Sequence, residues 1–140
     1  MYRNELSVRF NDCDALGHVN NATYLTFFEE ARKELFRLFN PSLDVHSWNM
    51  IIASTRCDYL REAVYAENLT VLTWIGRLGS SSVDVEQAIQ NERGEWVARG
   101  KAVLLGYDFG TKKAVKMSDE IRAKLLEHNE APEGVPALRE

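Results

Sequence analysis

The strongest pattern in the chain is a stripe of apolar side chains at helical spacing that begins at Tyr24. The stripe continues to Asn40 and Pro41, where the residue before proline is pushed out of the helical region; its members are Phe27, Phe28, Ala31, Leu35, Leu38 and Phe39. Charged residues occupy the opposite face, among them Glu29, Glu30, Lys33 and Arg37. This spacing predicts one long amphipathic helix, with Asn20 or Asn21 as its N-cap.

The rest of the pattern predicts strands, one before this helix and about four after it. Alternating or β-branched segments lie at 6–10, 50–59, 69–75, 82–86 and 96–107, and turn residues such as Gly76, Gly79 and Gly94 separate them. A small helix begins after Ser118, and the Pro- and Gly-containing tail after about residue 128 is expected to be loose. One helix beside a run of strands indicates an α+β fold with an antiparallel sheet of about five or six strands.

Size and composition narrow the class of protein. With 140 residues and 45% hydrophobic positions, we expect a single domain over residues 1–140. The net charge of −4 gives no basic field for nucleic acid, and no apolar run reaches the roughly 18 residues of a membrane span. Cys13 and Cys57 have no metal-type spacing, and the N-terminus lacks the apolar core of a secretory signal. We therefore expect a cytoplasmic protein without a metal or a cofactor.

Reactive side chains are concentrated in the connector at 11–24, between the first strand and the long helix. It contains two carboxylates, a thiol, an imidazole, several carboxamides and a phenol. Connectors held by rigid elements often carry chemistry. Asp and Asn also form turns and helix caps, so polarity alone leaves a purely structural interpretation of Asp14, Asn20 and Asn21 open.

The connector resembles the signature of the hotdog-fold acyl-CoA thioesterases, in particular the 4-hydroxybenzoyl-CoA thioesterase-like branch. The similar residues are Asp12-x-Asp14-x-x-Gly17-His18-Val19-Asn20-Asn21-x-x-Tyr24, followed by 27–32, and later Asp58-Tyr59-Leu60 and the run 76–82. The resemblance implies a long central helix wrapped by an antiparallel sheet. It also implies units that pair edge to edge, with active sites at the subunit interface, so we expect a homodimer or a dimer of dimers (homotetramer).

The resemblance assigns roles to residues of the connector. Asp14 matches the catalytic carboxylate, which acts as nucleophile or as general base in different members. A backbone N–H near Asn21, at the positive end of the helix, would polarise the thioester carbonyl. His18 would orient water or substrate. The residues expected to bind substrate are Gly17, Asn20 and Tyr24 at the connector, with Arg77, Ser80, Ser81 and Ser82 near the phosphates of coenzyme A.

These assignments predict hydrolysis of an acyl-CoA thioester to a carboxylic acid and coenzyme A. Two alternatives stay open: an acyl-thioester hydratase or dehydratase, because His18 follows Asp14 at short spacing, and a non-catalytic acyl-thioester-binding module. Acyl carrier protein is a possible carrier instead of coenzyme A. Some hotdog branches use a helix glutamate as base, but Glu29 and Glu30 lie opposite the apolar stripe, which favours a solvated or interface position.

Overall fold

The computed structural model describes residues 1–140 and contains one six-stranded antiparallel sheet. The strands are β1 Tyr2–Ser7, β2 Met50–Tyr59, β3 Asn68–Leu78, β4 Ser82–Asn91, β5 Trp96–Asp108 and β6 Lys113–Ala114. Their order across the sheet is β1-β3-β4-β5-β2, and β6 pairs only with β5. The predicted antiparallel α+β architecture is confirmed. β2 is an edge strand of ten residues that pairs with β5 on one side only.

The first strand lies earlier in the chain than its alternation predicted. β1 pairs with β3 from Tyr2 opposite Thr73 to Ser7 opposite Asn68. A short 3-10 turn at Phe10–Asp12 then ends the extended backbone, and Phe10 is 80% exposed instead of lying in the core.

The predicted long helix is divided into α1 Thr23–Glu30 and α2 Lys33–Phe39, with a turn at Ala31 and Arg32. The Arg32 N–H donates to the carbonyl of Glu29, three residues back, at 3.1 Å. The carbonyl of Phe28, four residues back, accepts instead from the side chain of Gln87 on β4 at 2.9 Å. The helix is therefore interrupted where a side chain of the sheet takes one of its carbonyl groups.

The start of α1 also differs from the prediction. The N-cap position is Ala22, whose backbone is already helical and whose side chain makes no capping bond. Asn20 nevertheless supplies an acceptor, because its Oδ1 accepts from the Ala22 N–H at 2.9 Å. Asn20 thus satisfies a donor at the helix start from outside the cap position.

Both helices pack on the inner face of the sheet, where they form two buried apolar clusters. The first joins α1 to β3, β4 and β5, and the second joins α2 to the other end of the same strands. Between the clusters lies a polar layer made of Arg32, Thr73 and Gln87. On β5, Gly100 lets the Phe28 ring lie directly on the backbone, since an added Cβ would be only 2.7 Å from that ring.

The third helix, α3 Asp119–Leu126, packs its buried Leu125 into the second cluster. The tail that follows, expected to be loose, forms no helix or strand but contacts the outer face of the sheet. Val135 packs beside Leu72 and Trp74, and the Arg99 Nε donates to the carbonyl of Pro136 at 2.8 Å. No helix of the structure has the length and apolar character needed to span a membrane.

Candidate functional site

The connector is closed into a loop around the buried side chain of Asp12, which is 3% exposed. Its carboxylate accepts from the backbone N–H of Arg9 at 2.7 Å and from the Arg9 guanidinium at 2.9 Å. Burial alone would raise the pKa of Asp12, but these hydrogen bonds and the charge of Arg9 outweigh it and hold the pKa below its ordinary value. The Asp12 carbonyl accepts from the Asn20 N–H at 2.9 Å, and Cys13 pairs with Val19. Asp12 therefore organises the loop that presents Asp14.

Asp14 lies at the exposed tip of this loop. Its N–H donates to the His18 carbonyl and its carbonyl accepts from the Gly17 N–H, both at 3.0 Å. Gly17 has a φ of +82°, which a residue with a side chain rarely adopts, so the turn itself requires glycine. The Asp14 Oδ1 accepts from the Leu16 N–H at 2.9 Å, while the Oδ2 has no hydrogen-bond partner in the chain. One carboxylate oxygen is thus available for chemistry.

The turn into α1 leaves backbone donors without a partner, and the first of them is the N–H of Asn21. The Thr23 N–H donates to the Asn20 carbonyl at 2.9 Å, and the Ala22 N–H is bonded by the Asn20 side chain. The N–H of Asn21 has no partner in the chain. It lies just before a helix N-terminus, where unpaired N–H groups favour negative charge.

A cavity of about 500 Å³ joins the loop tip to the helix start. The predicted residues Asp14, His18, Asn21 and Tyr24 line it together, and its other lining residues are Leu16, Val19, Tyr59, Leu60, Arg61 and Glu62. Asn20 and Gly17 shape the turns around it without lining it. Glu29 and Glu30 are exposed on α1 and do not line the cavity.

The end of β2 and the segment after it supply residues that sequence analysis did not assign to the site. The Glu62 Oε2 lies 3.0 Å from the His18 Nε2, within hydrogen-bond distance. The Tyr59 hydroxyl donates to the Asn21 carbonyl at 2.8 Å, and its ring meets the Tyr24 ring edge-on at 5.3 Å. Burial raises the pKa of Tyr24 to about 12 and also raises the pKa of Tyr59, so both phenols stay neutral at pH 7. The family-like Asp58-Tyr59-Leu60 run was the available signal.

Arg77 and the serines at 80–82 do not reach this cavity within one chain. Arg77 lies near the end of β3, Ser80 and Ser81 lie in the turn that follows, and Ser82 begins β4, whereas Asp14 lies beyond the other end of β3. β3 has eleven residues and spans roughly 35 Å at about 3.3 Å per residue. The carbonyls of Ser80 and Ser81 accept from the N–H groups of Met117 and Gly106 at 3.0 Å, so this turn is bonded both to the segment before α3 and to β5.

Comparison with known proteins identifies the family. The model of the thioesterase-like superfamily matches residues 8–125, from the end of β1 into α3. The chain belongs to this superfamily. A structure of a predicted thioesterase from Bacillus stearothermophilus is similar at 34% identity and a TM-score of 0.89, over 94% of this chain and 98% of that one.

Two further relatives have more specific names. The long-chain acyl-CoA thioesterase FadM of Escherichia coli is 31% identical over 86% of this chain and 94% of its own length. A Thermus thermophilus thioesterase, solved in complex with coenzyme A and zinc, is 31% identical with a TM-score of 0.78, covering 88% of this chain and 95% of that one. The predicted kinship with the hotdog acyl-CoA thioesterases is confirmed, and the chain is a thioesterase.

Proposed function

We propose that this thioesterase hydrolyses acyl-CoA to a free carboxylic acid and coenzyme A in the cavity between the Asp14 loop and the start of α1. The proposal is carried by two groups that have no hydrogen-bond partner in the chain and belong to residues lining the same cavity. They are the Asp14 Oδ2 and the Asn21 N–H. A thioester carbonyl needs an attacking or base group at its carbon and a donor at its oxygen. The relatives named as acyl-CoA thioesterases support the substrate class.

In the proposed reaction the carbonyl oxygen accepts from the Asn21 N–H, and the Asp14 carboxylate acts at the carbonyl carbon. As a general base, Asp14 takes a proton from water, whose oxygen attacks the carbon. As a nucleophile, it forms an anhydride that water then cleaves. On either route the C–S bond breaks, the sulfur leaves as thiolate and gains a proton, and one water is consumed. His18, held by Glu62 at 3.0 Å, would orient the water or the thioester.

We further propose that the active assembly contains two copies paired along β2. This strand has one open edge, and its residues Ala53 to Arg56 are exposed. Antiparallel pairing of two β2 strands sets the Met50 end of one copy beside the Tyr59 end of the other. The turn that carries the serines at 80–82, called the serine turn below, lies near the Met50 end of β2. Met50 pairs with Gly106, and the Gly106 N–H donates to the Ser81 carbonyl. A partner could therefore supply Arg77 and the serines at 80–82 that one chain keeps apart.

A dimer of two such dimers is compatible with the same pairing. We also place the enzyme in the cytoplasm, in keeping with acyl-CoA as substrate and with two cysteines, Cys13 and Cys57, that form no disulfide.

The test is a free-thiol assay with a panel of aromatic and aliphatic acyl-CoAs, run on the wild type and Asp14→Asn. The substitution nearly conserves shape but removes the base or nucleophile, so we expect kcat to fall about 10²-fold or more. Asp44→Asn is the matched control, because Asp44 is also exposed and its Oδ1 accepts from the N–H two residues on at 2.9 Å. Hydrolysis by Asp14→Asn at the wild-type rate would refute the mechanism. No thiol release from any acyl-CoA by the wild type would refute the substrate class.

A further inference from the structure

Tyr59, on β2, connects the sheet to the turn at 21–23, which carries the unpaired Asn21 N–H. Its hydroxyl donates to the Asn21 carbonyl at 2.8 Å. This is the one hydrogen bond between residues 21–23 and the sheet, since the other bonds of these residues stay within the turn and α1. The Tyr59 ring rests edge-on against Tyr24, which is 3% exposed, so the phenol is held from the core side as well.

The backbone of Asn21 is fixed from both directions by these contacts. On its amino side, the Asn20 carbonyl accepts from the Thr23 N–H at 2.9 Å, which turns the Asn21 N–H away from the helix start. On its carboxyl side, the Asn21 carbonyl accepts from Tyr59 while the Ala22 N–H donates to the Asn20 side chain. Peptide groups are planar, so the bond from Tyr59 and the bond from the Ala22 N–H together fix the Asn21–Ala22 peptide. The Asn21 N–H belongs to the preceding Asn20–Asn21 peptide, whose carbonyl accepts from the Thr23 N–H. The two peptides share the Asn21 Cα, so the bond from Tyr59 limits how the peptide that carries the donor can move relative to the sheet.

We propose that Tyr59 is a positioning residue of the thioesterase, whose hydroxyl keeps the Asn21 N–H aimed at the carbonyl oxygen of the substrate. This inference rests on the function proposed above. Donors stabilise a developing oxyanion only when they are already oriented, and a turn at a helix start is otherwise free to rotate its first peptides. The hydroxyl acts through Asn21 and not on the reacting atoms, because its proton is already donated to a backbone carbonyl.

The variant Tyr59→Phe removes the hydroxyl and keeps the ring against Tyr24. We expect kcat to fall about 10-fold, as for other groups that orient a catalytic one, with KM changed by less than about twofold. Tyr65→Phe is the matched control, because Tyr65 is exposed at the same end of the sheet, packs edge-on against Phe10 and makes no hydrogen bond through its hydroxyl. It should retain wild-type kinetics.

Amide hydrogen exchange gives a second readout that needs no substrate. The N–H groups of Ala22 and Thr23 should exchange faster in Tyr59→Phe than in the wild type, while those of Phe27 and Phe28 stay unchanged. Unchanged kinetics in Tyr59→Phe would overturn the inference. A lowered kcat with unchanged exchange would also overturn it, because the hydroxyl would then act on the substrate directly.

The two proposals fail in different ways. A wild type that hydrolyses no acyl-CoA removes the proposed function, whatever Tyr59→Phe does. The exchange experiment still decides the role of the hydroxyl in that case: faster exchange at Ala22 and Thr23 supports it as the group that holds the turn, and unchanged exchange refutes it.

Discussion

Replacing Gln87 by Met should strongly destabilise the protein, because the side chain belongs to a buried polar layer. Gln87 is 1% exposed and makes three side-chain bonds in the polar layer under the break between α1 and α2. It accepts from the Arg32 guanidinium at 3.1 Å and donates to the Phe28 carbonyl at 2.9 Å and to the Thr73 hydroxyl at 3.0 Å. Methionine has nearly the same volume, so the change removes the hydrogen bonds without opening a large cavity.

The expected magnitude follows from what the substitution leaves behind. Arg32 is 4% exposed, forms no ion pair, and its Nε already lacks a partner. Burial lowers the pKa of Arg32, and the nearby charge of Glu29 opposes this only in part. A hydrogen bond to a buried charged group typically contributes about 1.5–3 kcal/mol, and an orphaned carbonyl adds about 1–3 kcal/mol. Relaxation recovers some of this, so we expect a loss of about 3 kcal/mol from a total of about 5–15 kcal/mol.

Urea unfolding of a double-mutant cycle provides the assay. Arg32→Met in the Gln87→Met background removes the stranded charge, so the double variant should be more stable than Gln87→Met alone. Gln90→Met is the control on the same strand, since Gln90 faces the opposite side and bonds only the Gly94 carbonyl; it should change stability by less than about 0.5 kcal/mol. A loss below about 1 kcal/mol for Gln87→Met, or strict additivity in the cycle, would refute the reasoning.

Two further substitutions test the packing and the electrostatics around the site. Gly100→Ala should lower the free energy of unfolding by about 1–3 kcal/mol, because the new Cβ would lie 2.7 Å from the Phe28 ring; a thermal melt at the wild-type midpoint would contradict this. Asp12→Asn should be less stable than the wild type at pH 7, and the gap should narrow as the pH falls below about 4. The sign follows because the pKa of Asp12 is lower in the native state than in the unfolded state. The carboxylate therefore makes its full contribution to the free energy of unfolding above the unfolded-state pKa of about 3.9, and this contribution is lost as the native carboxylate is protonated. Urea midpoints between pH 7 and 2.5 check it, and a gap that does not change with pH would contradict it.

The strands and their antiparallel arrangement could be predicted because alternation and turn residues are local signals. The break in the helix was missed because the apolar stripe continues through it. Arg32 occupies a position on that stripe, four residues after Phe28 and three before Leu35, and a charge there was the available signal. That charge alone does not predict a break, because the break depends on Gln87, which lies 55 positions further along the chain.

The candidate site likewise contains residues that sequence analysis could group and residues that only the fold brings together. Asp14, His18, Asn21 and Tyr24 come together because they are close in sequence and the loop is short. The residues at 59–62 join them through contacts between distant parts of the chain: β2 pairs with β5, the Tyr59 hydroxyl donates to the Asn21 carbonyl, and the Val19 N–H donates to the Ala63 carbonyl. The serine turn at the far end of β3 was grouped with the connector by family resemblance alone, and the strand length keeps the two apart within one chain.

Asp12 and Asp14 show that a sequence motif does not define the role of a residue until its burial is known. Asp12 and Asp14 both belong to the family-like run, and residue type does not distinguish them. Asp12 is buried with its carboxylate bonded by Arg9, so it has no oxygen to offer a substrate and serves to fold the loop. Asp14 is exposed beside a cavity with one oxygen unbonded. The same chemical group is fully bonded inside the fold at one position and exposed with a free oxygen at the other, because the 3-10 turn at Phe10–Asp12 directs the first inward and leaves the second at the tip of the loop.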